Sequence, residues 1–434
     1  MITTAYINLW DVRVGAIFWD IERQTGFFQF TSDFLSTGLD VSPIKMPLST
    51  QIFSFPELRS NTTFKGLPGL LADVLPDKYG NTLIDAWLLR NGRPADSLNP
   101  VEHLCFIGKR GMGALEFEPV VPDIPGESTK IELESLVNIA QNILSGRQKF
   151  RTNLSERKEK ALTDILKVGT SAGGARAKAV IAYNQQTKEV RSGQAELPAD
   201  FKHYLLKFDG VVDGQSGISN GYGRIEMAYY LMATEAGIEM SECQLLEENG
   251  RAHFMTRRFD RTDTREKQHV QSFCAMNHYD FNNILGYGYE HLFETMRFLR
   301  FPYSAAEQMY RRMVFNVLAL NCDDHTKNFS FIMNRQGVWR LAPAFDVCYA
   351  YRPDSYWVSQ HSLSVNGKRK NITLPDLLAV AKNMNIKKPA RIIEQVRDAV
   401  SLWNTFAKKT GTDTVLKKEI SKNLKTNITS IFRV

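Results

Sequence analysis

From Ala5 to about Phe30 the chain alternates Val, Ile, Phe and Trp with polar residues, broken by turn signals near Asp11 and Thr25. That period of two predicts two or three short strands of a small sheet. Gly66–Gly69 and then Leu75, Pro76 and Asp77 punctuate the next segment, and the apolar period beyond them predicts a helix over Asn81–Leu89. Arg110–Phe117, RGMGALEF, reads as a turn entering a strand. Val120–Lys130, VVPDIPGESTK, gathers prolines, a glycine and polar residues between two patterned regions, as a domain boundary does.

Helical periodicity follows over Leu133–Leu144 and Lys158–Leu166, and the second run opens into a glycine-rich turn, GTSAGGARAK, at Gly169–Lys178. Ala179–Tyr183 and His203–Phe208 are expected strands. Gly223–Ala236 is an expected helix stopped by Gly237, and Arg251–Phe259 a strand ending in the charged turn RRFDR. Beyond it the pattern is mostly helical, over Tyr289–Phe298, Ala305–Leu320, Leu374–Asn383 and Ala390–Phe406, interrupted by a hairpin over Phe329–Val347.

Composition changes this picture little. With 434 residues, 43% hydrophobic and 11% aromatic, the chain can bury two or three packed units. No apolar run reaches the roughly 18 residues of a membrane-spanning helix, so no membrane partner is expected. The first residues lack the basic start and continuous apolar core of a secretion signal, and five scattered cysteines without a CxxC pair argue against disulfides or structural zinc. A cytoplasmic protein is expected. Lys382–Val434 carries 12 Lys plus Arg against 4 Asp plus Glu, whereas the rest of the chain is close to neutral. This basic end reads either as a solvated helix face or as a surface for nucleic acid or an acidic partner.

Candidate chemistry gathers in Asn321–Ile332, NCDDHTKNFSFI, and Leu341–Val347, LAPAFDV. Phosphoryl transfer needs one orienting carboxylate or base and oxygen ligands for Mg²⁺. Asp323 suits the first role, because it alone sets both the acid-to-amide spacing to Asn328 and an Asp-x-His arrangement with His325. Asp324 is read as a loop residue. Asn328 can offer an amide oxygen and Asp346 a carboxylate to the same ion, although such residues also form turns. In the glycine-rich turn, Gly173, Gly174 and Ala175 let backbone amides approach phosphate, with Lys178 beside them. The turn lacks the Walker and GxGxxG patterns and also fits a plain hairpin. Lys207, in HYLLKFDG, is placed either to hold phosphates or to snorkel from a half-exposed strand, and Glu226 on the next helix is its possible partner. A metal-dependent phosphohydrolase would want more metal-spaced histidines than the eight scattered ones.

In this order the segments FKGLPGLLADVLPDKYG, FIGKRGMGALEFEP, GTSAGGARAKA, YLLKFDG, RRFDR, NCDDHTKNFSFI and LAPAFDV resemble the HipA family of bacterial serine/threonine kinases, toxin halves of toxin-antitoxin pairs. The resemblance runs from near the N-terminus to at least Asp376. It implies an α+β fold, with a β-rich N-terminal subdomain (residues 1–120), a kinase N-lobe with the glycine-rich loop (121–262) and an all-helical C-lobe with the catalytic loop (263–434). ATP would lie in the cleft. The resemblance implies Asp323 as the catalytic base, beside which His325 stands as a further catalytic candidate from its spacing, Asn328 and Asp346 as Mg²⁺ ligands and Lys207 as a phosphate contact. The turn Arg258, Phe259 and Asp260 would be the hinge near adenine, and Ser171 a site of autophosphorylation that expels the loop, with Thr170 an adjacent hydroxyl. Added negative charge there would make the loop repel its ligand. The expected partners are a protein substrate, typically an aminoacyl-tRNA synthetase such as glutamyl-tRNA synthetase, and a helix-turn-helix antitoxin that tethers the pair to operator DNA. The alternative within the family is a catalytically weak relative acting as a DNA-bound corepressor.

Overall fold

The computed structural model describes residues 1–121, 130–144, 156–169, 176–194, 197–213, 217–218 and 221–433. The chain divides into two compact units: Met1–Gly223 with Gln244–Val270 and Asn334–Gly337, and Arg224–Cys243 with Gln271–Met333 and Val338–Val434. Most of the expected boundary segment Val120–Lys130 lies outside the described residues.

The first unit opens with β1 (Thr4–Leu9), β2 (Val12–Asp20) and β3 (Thr25–Phe30), an antiparallel meander that β4 (Leu115–Glu118) extends on the β1 edge. Trp10 and Asp11 both take positive φ between β1 and β2, the geometry whose twist matches a tight hairpin. The alternation read from the sequence turns Ala5, Ile7, Leu9, Ile17, Trp19 and Phe28 inward. The helices α1 (Ser32–Thr37), α2 (Gly69–Ala72), α3 (Lys78–Arg90) and α4 (Pro100–Ile107) follow β3. A reciprocal cap between Asn99 and Glu102 starts α4, whose residues Val101–Ile107 are all buried.

A second sheet is built from β5 (Lys178–Tyr183), β6 (Val190–Ser192), β7 (Lys202–Lys207), β10 (Cys243–Glu248) and β11 (Arg251–Arg257), in the order β10-β11-β7-β5-β6. Between β7 and β10, β8 (Val212–Asp213) pairs with β9 (Gly217–Ile218). The helices α5 (Leu133–Leu144) and α6 (Glu156–Gly169) carry apolar stripes, and their Leu136, Ile139, Ile165 and Leu166 pack with Ala179, Ile181, Tyr204, Leu206 and Met255 from one face of this sheet. The opposite face carries the alternate positions.

The second unit is mainly helical. It holds most of α7 (Tyr222–Glu235), then α8 (Phe273–Asn277), α9 (Tyr289–Phe298), α10 (Tyr303–Leu318), α11 (Leu374–Asn383), α12 (Pro389–Ser401), α13 (Trp403–Lys409) and α14 (Thr414–Ile431). Gly237, at φ +77°, ends α7 as its sequence position suggested. Ten consecutive residues of α10, Met309–Leu318, are buried, which makes it the central helix of the unit. Its polar members are all bonded: Arg311 donates to the Ala236 carbonyl at 2.8 Å, Arg312 to the Ala342 carbonyl at 2.9 Å, and Asn316 to Tyr289 Oη at 2.9 Å. The strand β12 (His269–Ser272) precedes α8, and β13 (Ser330–Met333) pairs with β14 (Trp339–Leu341) as the expected hairpin.

One element differs from expectation. The helix expected over Ala390–Phe406 is two helices, broken at Leu402, which frees the buried Trp403 indole to donate to the Lys417 carbonyl at 3.1 Å. No described helix is long and apolar enough to cross a membrane.

Candidate active site

In the second unit, α10 ends at Leu318 and the chain turns at Leu320, with φ +53°, into an extended loop. An extended chain sends alternate side chains to opposite sides. Cys322, Asp324 and Thr326 are therefore buried, whereas Asp323 and His325 face outward, their side chains 49% and 21% exposed. Backbone bonds brace the loop, since Cys322 N–H donates to the Ala350 carbonyl and Ala350 N–H to the Leu320 carbonyl, both at 3.1 Å. Thr326 Oγ1 adds a bond to the Tyr279 carbonyl at 2.8 Å.

Asp323 and His325 lie side by side, with His325 Nε2 3.8 Å from Asp323 Oδ1. The His325 ring packs against Phe281 at 5.3 Å between centroids, and Lys327 Nζ lies 5.0 Å from the same ring. Asn328 ends the short turn Thr326–Asn328 and donates its side-chain N–H to the Asp323 carbonyl at 2.7 Å. The amide nitrogen is engaged inward, and its oxygen keeps its acceptor capacity. Beyond β14, Asp346 adopts φ +55°, a left-handed conformation that Asp tolerates better than most residues. Asn328 and Asp346 line one recess together with Arg312, Asn316, Asn321 and Asp324.

These two residues suit Mg²⁺ by donor type: an amide oxygen fixed by its own nitrogen and a carboxylate are hard oxygen ligands, to which the ion adds waters and phosphate oxygens. Among the described residues no cluster of His, Cys, Asp and Glu forms a self-sufficient metal cage.

Asp324 is not the idle loop residue expected from the sequence. Its carboxylate is buried, with Oδ1 accepting from Ser362 N–H at 2.7 Å and Oδ2 from Tyr289 Oη at 2.8 Å, while His361 Nδ1 lies 3.0 Å from Oδ2. Burial alone would lower the His361 pKa, but Cys322 and Asp324 beside the ring outweigh it and lift the pKa well above its ordinary value. Tyr289 is pushed well above its ordinary value by burial and by the neighbouring Asp324 charge. His361, Tyr289 and Asn316 were all missed from the sequence. The signal available was the period of two across Cys322–Thr326, which marks Asp324 as an inward position.

The first unit holds the predicted lysines. Lys178 and Lys207 are direct cross-strand partners, and Phe254 is the partner of Lys207 on the other side. Directly opposed residues share a sheet face, so both ammonium groups lie on the side opposite α5 and α6. Lys178 is buried, and Lys207 Nζ lies 5.9 Å from the Phe254 ring centre. Two residues beyond Lys207, Asp209 is buried and accepts from Gly221 N–H at 2.9 Å and Ala252 N–H at 3.1 Å, tying the end of β7 to β11. Glu226 is buried on α7 and belongs to the second unit.

The charged turn, expected as a hinge, is held together by a buried ion pair. Arg258 and Asp260 are buried and form a two-pronged ion pair, Nε to Oδ1 at 2.8 Å and Nη2 to Oδ2 at 2.5 Å. Arg261 adds a bond to Oδ2 at 2.8 Å, and Gly113 N–H donates to the same oxygen at 2.7 Å. The side chains of Arg258 and Asp260 thus lock the turn onto the RGMGALEF segment, and Phe259 between them is half-buried. Burial works against ionising Asp260, but Arg258 and Arg261 win and hold its carboxyl far below the usual range. Thr170, Ser171, Gly173, Gly174 and Ala175 lie outside the described residues.

Two family models match the chain, the HipA N-terminal domain over residues 5–118 and the HipA-like C-terminal domain over residues 170–403. A solved HipA from Shewanella oneidensis, in complex with HipB and its operator DNA, superposes with a TM-score of 0.66 at 17% identity, covering 98% of this chain and 95% of that one. The proinflammatory kinase CtkA of Helicobacter pylori gives a TM-score of 0.40 at 14% identity, over 60% of this chain and 90% of that one. No curated protein matches. The likeness to the Shewanella structure shows a shared α+β fold.

Proposed function

The chain belongs to the HipA family, and on that premise we propose that it is an ATP- and Mg²⁺-dependent serine/threonine protein kinase of toxin type. The observation that carries this reading is the join between Asp323 and Asn328, which sets an outward carboxylate beside an amide oxygen on the recess that Asp346 also lines. In phosphoryl transfer the protein's work is positioning and electrostatics, and this arrangement supplies both.

Asp323 accepts the proton of the attacking serine hydroxyl, and His325 lies beside it as its outward neighbour. Asn328 and Asp346 hold Mg²⁺, which when bound neutralises charge on the phosphate oxygens. Lys207, with Lys178 beside it, contributes positive charge toward the ATP phosphates. Phe259 is left as the apolar member of the hinge turn, stiffened by the ion pair on either side. Ser171 is the site of autophosphorylation, and the substrate is a serine on an aminoacyl-tRNA synthetase. A helix-turn-helix antitoxin restrains the kinase and carries it to operator DNA in the cytoplasm. The HipB and operator DNA bound to the Shewanella HipA support that last part of the reading.

The test is to incubate the purified chain with labelled ATP and Mg²⁺, alone and with purified aminoacyl-tRNA synthetases, and to locate phosphate by mass spectrometry. Label on Ser171 and on a synthetase serine is the expected result. Release of inorganic phosphate with no protein labelled would instead favour a phosphohydrolase.

A further inference from the structure

Asp323 lies between two anchors of one buried network. Asn321 donates its side-chain N–H to Asn316 Oδ1 at 2.9 Å, Asn316 donates to Tyr289 Oη at 2.9 Å, and Tyr289 donates to Asp324 Oδ2 at 2.8 Å. The path leaves the loop at Asn321, crosses α10 and α9, and returns at Asp324. The segment at His361 grips the residues on either side of Asp323. His361 Nδ1 lies 3.0 Å from Asp324 Oδ2 and its Nε2 3.8 Å from Cys322 Sγ, while Ser362 N–H donates to Asp324 Oδ1 at 2.7 Å and Ser362 Oγ to the Cys322 carbonyl at 3.3 Å.

We infer that Asp324 and His361 are positioning residues that set the placement of the Asp323 carboxylate, an inference that rests on the kinase reading of this site. Both oxygens of Asp324 accept hydrogen bonds from the protein, which ties its carboxylate into this network. Its action passes through the backbone of the adjacent residue. The carboxylate and the imidazole are buried together, and hydrogen bonds from α9 and from the His361 segment hold both oxygens of Asp324, a constraint that an extended loop lacks by itself. A shift of about 1 Å in a reacting group costs on the order of 100-fold in rate.

The test compares Asp324→Asn, His361→Phe and His361→Asn with the wild-type chain, well below the melting temperature of each. Asp324→Asn keeps the shape but removes an acceptor. His361→Phe removes the ring donor, whereas His361→Asn restores a donor near the place of Nδ1. The expected result is a kcat lowered about 100-fold in Asp324→Asn and His361→Phe, with the KM for ATP within about twofold, and recovery of most of that loss in His361→Asn. The double variant Asp324→Asn with His361→Phe is expected to be no slower than either single one, because the two act as a unit. Hydrogen exchange over Asn321–Asn328 gives a readout independent of activity, and it is expected to quicken in Asp324→Asn while α14 stays unchanged. A folded Asp324→Asn variant with wild-type kcat would overturn the inference, as would unchanged exchange over the loop. If the wild-type chain transfers no phosphate, the kinase reading fails, and the exchange comparison alone decides whether the pair pins the loop.

Discussion

Asn328 ties its side-chain amide to the main-chain carbonyl of Asp323, at 2.7 Å. The bond couples the two residues, and on the kinase reading it makes the amide nitrogen at position 328 part of the site. An aspartate there would set a carboxylate oxygen against a carbonyl oxygen. Asn328→Asp is therefore expected to be as damaging as Asn328→Ala, each lowering kcat by about 100-fold and raising the Mg²⁺ concentration for half-maximal rate. A Mg²⁺ titration of the transfer rate checks it, and a fully active Asn328→Asp would show that the amide nitrogen is dispensable.

Lys178 and Lys207 oppose each other directly across β5 and β7. Like charges placed directly opposite each other destabilise a sheet. Lys207→Met is expected to hold or raise the melting temperature while raising the KM for ATP about tenfold, the trade-off that marks a residue kept for binding. Thermal melting and initial rates across ATP concentrations together check it.

Asp260 holds two arginines in the interior of the first unit. Asp260→Asn leaves Arg258 and Arg261 short of their countercharge, and breaking such a pair costs about 3–5 kcal/mol. The variant is expected to unfold at a markedly lower denaturant concentration. An unchanged midpoint would mean that the ion cluster is not what locks the turn.

His269 is fully buried, with Nε2 3.0 Å from the Val41 carbonyl, and burial pushes its pKa from 6.5 down to about 4. A depressed histidine is neutral in the folded chain while the unfolded chain takes up the proton. Stability is then full above pH 6.5 and falls as the pH drops from there toward about 4. His203, lowered to about 4 by burial and by Arg258 and Arg261, acts in the same direction. Melting temperatures at several pH values between 8 and 5 are expected to decline on the acid side, and His269→Gln to flatten part of the slope.

What could be read in the sequence was local. Asp323, Asn328 and Asp346 stand within one loop and one hairpin, so spacing alone brought them together, and the strand alternation of Ala5–Phe30 and the stripes of α5 and α6 gave their elements directly. Asp324 was misread because its partners, Tyr289 and His361, lie 35 and 37 residues away. The RRFDR turn takes its hinge role from the family resemblance, and the buried ion pair within it was not legible in the sequence. The partner that buries it, Gly113, precedes Asp260 by 147 residues. The break at Leu402 was invisible because the apolar period runs through it, and only the indole bond to Lys417 reveals why the chain turns there.

The central claim is that Asp323 is the base of a protein kinase, and the initial rate of phosphate transfer from ATP by Asp323→Gln, beside the wild-type chain, tests it most directly. The side chain is 49% exposed, so the substitution should leave the melting temperature unchanged. The predicted result is a rate about 10²–10⁴-fold below wild type, with label on serine in the wild-type reaction only. Equal labelling by the two proteins would contradict it.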